Sequence, residues 1–158
     1  PGSLDSIAFH RRSGRLAVAG DSARGPNQIA VLDPARVGAV QPWTRAVVPK
    51  GIDTAGFAEQ KLVRWTGFDG LPLSAVYSEP PARFAGRRPV VVLVHGGPEA
   101  QASFGFLGRW QYLIQELGIA VIEPNVRGSS GYGKSFLALD NGFKREDAVK
   151  DLGSLLDW

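Results

Sequence analysis

The chain has 158 residues, a formal net charge of +3 from 18 basic and 15 acidic side chains, and no cysteine. The missing cysteines exclude disulfides and thiolate metal centres but say nothing about export. The basic residues form only short doublets, Arg11-Arg12, Arg87-Arg88 and Lys144-Arg145, which suit a solvated surface and not a nucleic-acid interface.

In chain order, residues 4–33 carry three short apolar runs, Ile7-Ala-Phe9, Leu16-Ala-Val-Ala19 and Ile29-Ala-Val-Leu32. Turn residues at Arg12-Ser-Gly14 and Arg24-Gly-Pro-Asn27 separate them, a spacing that predicts antiparallel β structure. Pro34 to Ala58 is rich in Pro, Gly and Ala without periodicity and reads as an outer strand plus a linker. Asp69-Gly70 is a hairpin signal between Leu62–Phe68 and Leu71–Ser78, and the Pro80 to Arg88 segment reads as a surface loop.

The run Pro89-Val-Val-Val-Leu-Val-His95-Gly96-Gly97-Pro98 predicts a strand buried on both faces of a parallel sheet. The glycines at its carboxyl end let the backbone turn with its N–H groups bare, as an oxyanion site requires. This is also the edge at which open α/β sheets hold ligands. Taken alone, His-Gly-Gly is equally well an ordinary strand-to-helix turn. Leu107, Trp110, Leu113, Ile114 and Leu117 recur at helical spacing before Gly118, and Ile119 to Pro124 is a second short strand that feeds Asn125-Val-Arg-Gly-Ser-Ser-Gly-Tyr-Gly133. A right-handed βαβ unit brings both loops to one sheet edge, so they are expected to be neighbours. Arg145 to Trp158 predicts a final helix.

Three stretches now carry a resemblance: His95-Gly-Gly-Pro-Glu-Ala-Gln101, Asn125-Val-Arg-Gly-Ser-Ser-Gly-Tyr-Gly133, and Asp140-Asn141 before a helix ending Leu156-Asp-Trp158. They resemble the prolyl oligopeptidase family of serine peptidases, most of all its acylaminoacyl-peptidase and dipeptidyl-peptidase-like branch. Upstream, Leu62 to Pro80 is similar to the strand, Asp-Gly turn and strand that open the family's hydrolase domain. Leu4 to Asp33 is similar to the last blade of its β-propeller. The fold this implies is α/β: residues 1–58 form the end of a propeller and a linker, and residues 59–158 the amino-terminal half of an α/β-hydrolase domain.

By resemblance, the activity is hydrolysis of short peptides by a Ser-Asp-His triad. No Gly-x-Ser-x-Gly turn is present: Ser130 has Gly128 two residues before it but Tyr132 two after, and Ser154 has neither glycine. The two imidazoles, His10 and His95, are not expected to act as the base. Nucleophile, acid and base are therefore expected outside this chain, which starts at Pro1, contains no Met and reads as an inactive piece of a longer protein. The resemblance implies that the backbone N–H of Gly97 helps hold the oxyanion. His95 either assists it or anchors the loop, and Arg127 either faces substrate or braces its loop through carbonyls or a carboxylate. Gly96 and Pro98 are expected to shape the loop, and Glu123 and Asp140 to be structural.

No metal or cofactor is implied, and the expected partners are short peptides, with neither nucleic acid nor membrane; an oligomer is compatible. The cytoplasm is the expected compartment, with periplasm or secretion left open. Two other readings stand beside the peptidase. One is a carboxylesterase, which usually has a third glycine where Pro98 stands, and the other a non-catalytic binding or scaffold protein that has lost its nucleophile.

Overall fold

In the computed structural model, which describes residues 2–36, 38–97 and 99–158, the chain forms two four-stranded sheets. The first is an antiparallel meander of β1 (Gly2–His10), β2 (Arg15–Ser22), β3 (Gly25–Leu32) and β4 (Val40–Pro42). Its register places Phe9, Leu16, Leu32 and Val40 in one cross-strand row and Ile7, Val18, Ala30 and Pro42 in the next, so one face is continuously apolar. Leu4, Ile7 and Phe9 on this face are largely exposed. The second turn is tighter than the sequence suggests. Ser22 pairs with Gly25, leaving Ala23 and Arg24 as a two-residue loop, and Pro26 and Asn27 join the strand.

The second sheet contains β5 (Gln60–Thr66), β6 (Pro72–Ser78), β7 (Val90–Val92) and β8 (Ala120–Asn125) in the order β5-β6-β8-β7. β5 and β6 form the expected hairpin, β6 and β8 pair antiparallel, and β7 and β8 pair parallel across the helix α1 (Trp110–Leu117). Gly118 ends α1 in a left-handed conformation, with its N–H on the Leu113 carbonyl. Beyond β8 lie the short helix α2 (Lys134–Leu137) and α3 (Arg145–Asp157).

The double burial expected of residues 89–98 is not found. Only Val90–Val92 join the ladder, and Val90 and Val94 are 51% and 49% exposed. The reason is position: β7 is the edge strand, with β8 as its one neighbour among the described residues. The buried parallel strand is β8, where Ala120 and Val121 are fully inaccessible.

Alternation along β8 divides the core. Val121 faces α1 with Ala58, Leu107 and Ile114, whereas Ile122 faces α3 with Trp65, Leu73, Ala75 and Leu155. The second sheet is thus the middle of three layers, with the carboxyl ends of β7 and β8 open. Among the described residues, no helix is long and apolar enough to cross a membrane.

The two sheets are tied by polar contacts around α1. The buried Gln111 side chain donates from Nε2 to the Ala23 carbonyl at 3.5 Å and accepts the Ala58 N–H at Oε1 at 3.2 Å. Asp21 accepts the Phe106 N–H at 2.8 Å, and Arg24 pairs with Glu59 at 3.0 Å. Replacing Gln111 by Leu keeps the volume but leaves the Ala58 amide and Ala23 carbonyl unpartnered. We expect a stability loss of about 1–3 kcal/mol in urea denaturation, against less than about 0.5 kcal/mol for the exposed neighbour change Tyr112→Leu. Equal effects would show that water, and not Gln111, satisfies these groups.

Candidate functional site

The first loop leaves β7 through Leu93, whose N–H still bonds the Ile122 carbonyl at 2.8 Å, and reaches Gly96 and Gly97 at the sheet edge. Gly97 has φ +125°, a region that side-chain-bearing residues rarely enter. A Cβ built there would lie 3.1 Å from the Ala100 amide nitrogen and 3.2 Å from that of Glu99. The turn is exposed, and no hydrogen bond among the described residues uses the Gly97 N–H. Pro98 lies outside the described residues. His95 is partly buried. Its Nε2 is 3.0 Å from Ser129 Oγ and its Nδ1 3.2 Å from the Gly96 carbonyl oxygen.

The second loop, after β8, is next to the first, as the βαβ argument requires. The buried Asn125 side chain reads the Ala102 backbone in both directions, accepting its N–H at 2.7 Å and donating to its carbonyl at 2.9 Å. The Ser130 N–H bonds the Ala100 carbonyl at 2.9 Å. Ser129 folds back on Val126, donating to its carbonyl from the amide at 3.1 Å and from Oγ at 2.7 Å. Gly128, at φ +87°, lies so close to buried Asp140 that a Cβ would sit 2.2 Å from Cγ.

Arg127 is 5% exposed and braces this loop. Its Nε and Nη2 donate to the Asp151 carboxylate at 2.9 and 2.8 Å, and Nη1 and Nη2 donate to Asp69 at 3.0 and 2.8 Å. Its backbone N–H adds a bond to Asp151 Oδ2 at 3.1 Å, and its guanidinium lies 4.5 Å from the centre of the Phe68 ring. The hydrogen bonds it donates to Asp151, then to Asp69, push the guanidinium pKa up, and the bond from Arg127 holds the Asp69 carboxyl below the ordinary carboxylate range. Of the two roles considered for Arg127, bracing is the one this geometry holds. Its partners come from the β5–β6 turn and from α3, not from the His95–Gly97 loop.

The remaining residues singled out from sequence lie apart from this cluster of contacts or beneath it. Burial raises the Glu123 carboxyl pKa, and Asp140 is buried under Gly128 with Arg145 Nε at 3.7 Å. Ser154 bonds the Lys150 carbonyl, and His10 pairs with Ser13 on the first sheet. Sequence reading missed Asp69, Asp151, Ser129 and Asn125. Asp151 left one readable signal: it stands four residues before Leu155 on the apolar stripe of α3, where a lone acid needs a buried partner.

No protein-family model matches the chain. Among curated proteins, it is 43% identical over 70 residues to dipeptidyl aminopeptidase BIII of Pseudoxanthomonas mexicana, covering 44% of this chain and 10% of that protein. It is 33% identical over 98 residues to the acylamino-acid-releasing enzyme of Homo sapiens, covering 60% of this chain and 12% of that one. The chain therefore spans about a tenth of the length of these relatives. Among solved structures, prolyl oligopeptidase B from Galerina marginata superposes with a TM-score of 0.82 at 17% identity, over 99% of this chain and 22% of that one, which shows a shared fold.

The depressed Asp69 pKa has a signed consequence for stability. Its contribution is fully present above the ordinary carboxylate pKa of about 4 and is lost as pH falls through the lower folded-state value. The stability difference between the wild type and Asp69→Asn, followed by urea denaturation from neutral to acid pH, should shrink to nothing on acidification. A difference that is constant or grows toward low pH would contradict the Arg127–Asp69 link.

Proposed function

From a chain that belongs to the prolyl oligopeptidase family of serine peptidases, we infer that the protein hydrolyses short peptides and that Gly97 lends its backbone N–H to the oxyanion formed in acyl transfer. The observation that carries this reading is the Gly97 turn. It sits at the carboxyl end of a parallel strand, at φ +125°, with an amide that no described residue uses. An N–H from this strand-to-helix loop, together with the one that follows the nucleophile, is how the hydrolase fold neutralises a tetrahedral intermediate.

Within this reading, residues 59–158 are the amino-terminal part of the peptidase domain and residues 1–58 the end of a β-propeller with its linker. The exposed apolar row Leu4, Ile7 and Phe9 supports the propeller assignment, because a blade buries such a face against its neighbour. The serine attacks the scissile carbonyl, a histidine takes and returns its proton, and an aspartate orients that histidine. All three are supplied from outside these 158 residues. The meander is pinned by Asp21 and Ala23 to Phe106 and Gln111, just after the Gly97 loop. A propeller continued from it covers the open sheet edge and admits short or flexible peptides in preference to folded proteins.

The test is Gly97→Val in the whole protein that carries this chain. An oxyanion donor acts on the charged intermediate far more than on bound substrate, so kcat should fall by about 100- to 1,000-fold with KM little changed. Circular dichroism checks that the variant is folded. A folded variant with near-normal kcat would make Gly97 a turn residue only.

A further inference from the structure

We propose that His95 is a positioning residue, whose Nε2–H donates to Ser129 Oγ and so holds the Gly96–Gly97 turn against the Asn125–Gly133 loop. This deepens the reading of Gly97 given above and rests on it. Proton count fixes which atom donates. Ser129 Oγ lies 2.7 Å from the Val126 carbonyl oxygen, which can only accept, so the single hydroxyl proton must lie between them. Ser129 Oγ then has lone pairs but no proton left for His95 Nε2 at 3.0 Å, and the ring nitrogen must be the donor.

Nε2 therefore carries a proton whether the ring is neutral or charged. The Nδ1 contact with the Gly96 carbonyl at 3.2 Å is a hydrogen bond only when the ring is doubly protonated. Two chemical consequences follow. Nε2 has no lone pair with which to act as a base, and its N–H is already engaged and does not point at an oxyanion. The ring instead connects the residue before the Gly96–Gly97 turn to a serine that is itself clamped, since Val126 precedes Arg127, whose N–H and guanidinium Asp151 holds.

The experiment compares His95→Ala, His95→Gln, His95→Asn, Ser129→Ala and the His95→Ala/Ser129→Ala double variant in the whole protein, by kcat and KM on one short peptide. A glutamine amide reaches about as far as Nε2, and an asparagine amide only as far as Nδ1. His95→Ala and Ser129→Ala should each lower kcat by roughly tenfold with little change in KM. His95→Gln should recover most of the loss and His95→Asn none, and the double variant should be no worse than either single one. Nitrogen NMR of the histidine-labelled wild type should show Nε2 protonated, with His95 assigned by its loss in His95→Gln or its shift in Ser129→Ala.

Rescue by Asn in place of Gln, losses that multiply in the double variant, or an Nε2 without its proton would each overturn the proposal. The two readings fail separately. Normal kcat in folded Gly97→Val removes the oxyanion role, whereas a damaging Gly97→Val beside a harmless His95→Ala removes only the positioning role.

Discussion

The arrangement of the open sheet edge depends on one buried ion cluster, the Arg127 guanidinium gripped by Asp151 and Asp69. Asp151 is completely inaccessible, and a carboxylate taken that far from water is tolerated only with a partner of opposite charge and full hydrogen bonding. Arg127 supplies both, through two side-chain bonds and its own backbone N–H. The second carboxylate, Asp69, is 44% exposed, so solvent carries part of the surplus negative charge, and Lys150 stands 5.2 Å from the Phe68 ring that covers the guanidinium. The cluster joins elements 58 and 24 residues apart in sequence: the β5–β6 turn, the second residue after β8, and the middle of α3.

From this anchor the geometry passes outward through short hydrogen bonds. Arg127 fixes the start of the second loop, the Val126 carbonyl takes both protons of Ser129, and Ser129 meets His95 in the first loop. Asn125 with Ala102 and Ser130 with Ala100 close the same gap from the other side. The abundance of glycine here reflects close approach more than looseness. Gly128 has no room for a Cβ against Asp140, so the loop is packed where its composition alone would suggest flexibility. In the oxyanion role proposed for it, the Gly97 N–H must be in place before charge develops, and this bracing is what would preorganise it.

Much of this was legible in the chain. The Asp69-Gly70 hairpin, a helix ending at Gly118, which begins at Trp110 and not at Leu107 where the apolar spacing starts, the strand before Asn125 and the adjacency of the two loops all follow from local pattern and from the handedness of βαβ units. What failed to show were matters of sheet position and of distant polar pairing. Val90–Val92 and Ala120–Asn125 are both apolar runs, yet one lies at an edge and the other in the interior, and no feature of either run records its place in the sheet order. Asp69 read as a turn former because that is what its immediate neighbours need. Gln111 lies outside the apolar spacing of Leu107, Trp110, Leu113, Ile114 and Leu117, and its partners, Ala23 and Ala58, lie 88 and 53 residues away. A bracing role for Arg127 is one the sequence allows, but nothing short of the fold names its carboxylates, Asp69 and Asp151.

Whether a buried Arg127–Asp151 pair anchors the loop after β8 is decided by a double-mutant cycle on the whole protein with Arg127→Met, Asp151→Leu and the two combined, read by urea denaturation. Arg127→Met strands the buried Asp151 carboxylate and should cost about 3–5 kcal/mol. Asp151→Leu leaves Arg127 with Asp69 as its remaining carboxylate and should cost less, about 1–3 kcal/mol. The double change, which removes both charges, should cost clearly less than the sum of the two. Strictly additive losses would mean that the two residues act independently, and the anchor described here would not exist.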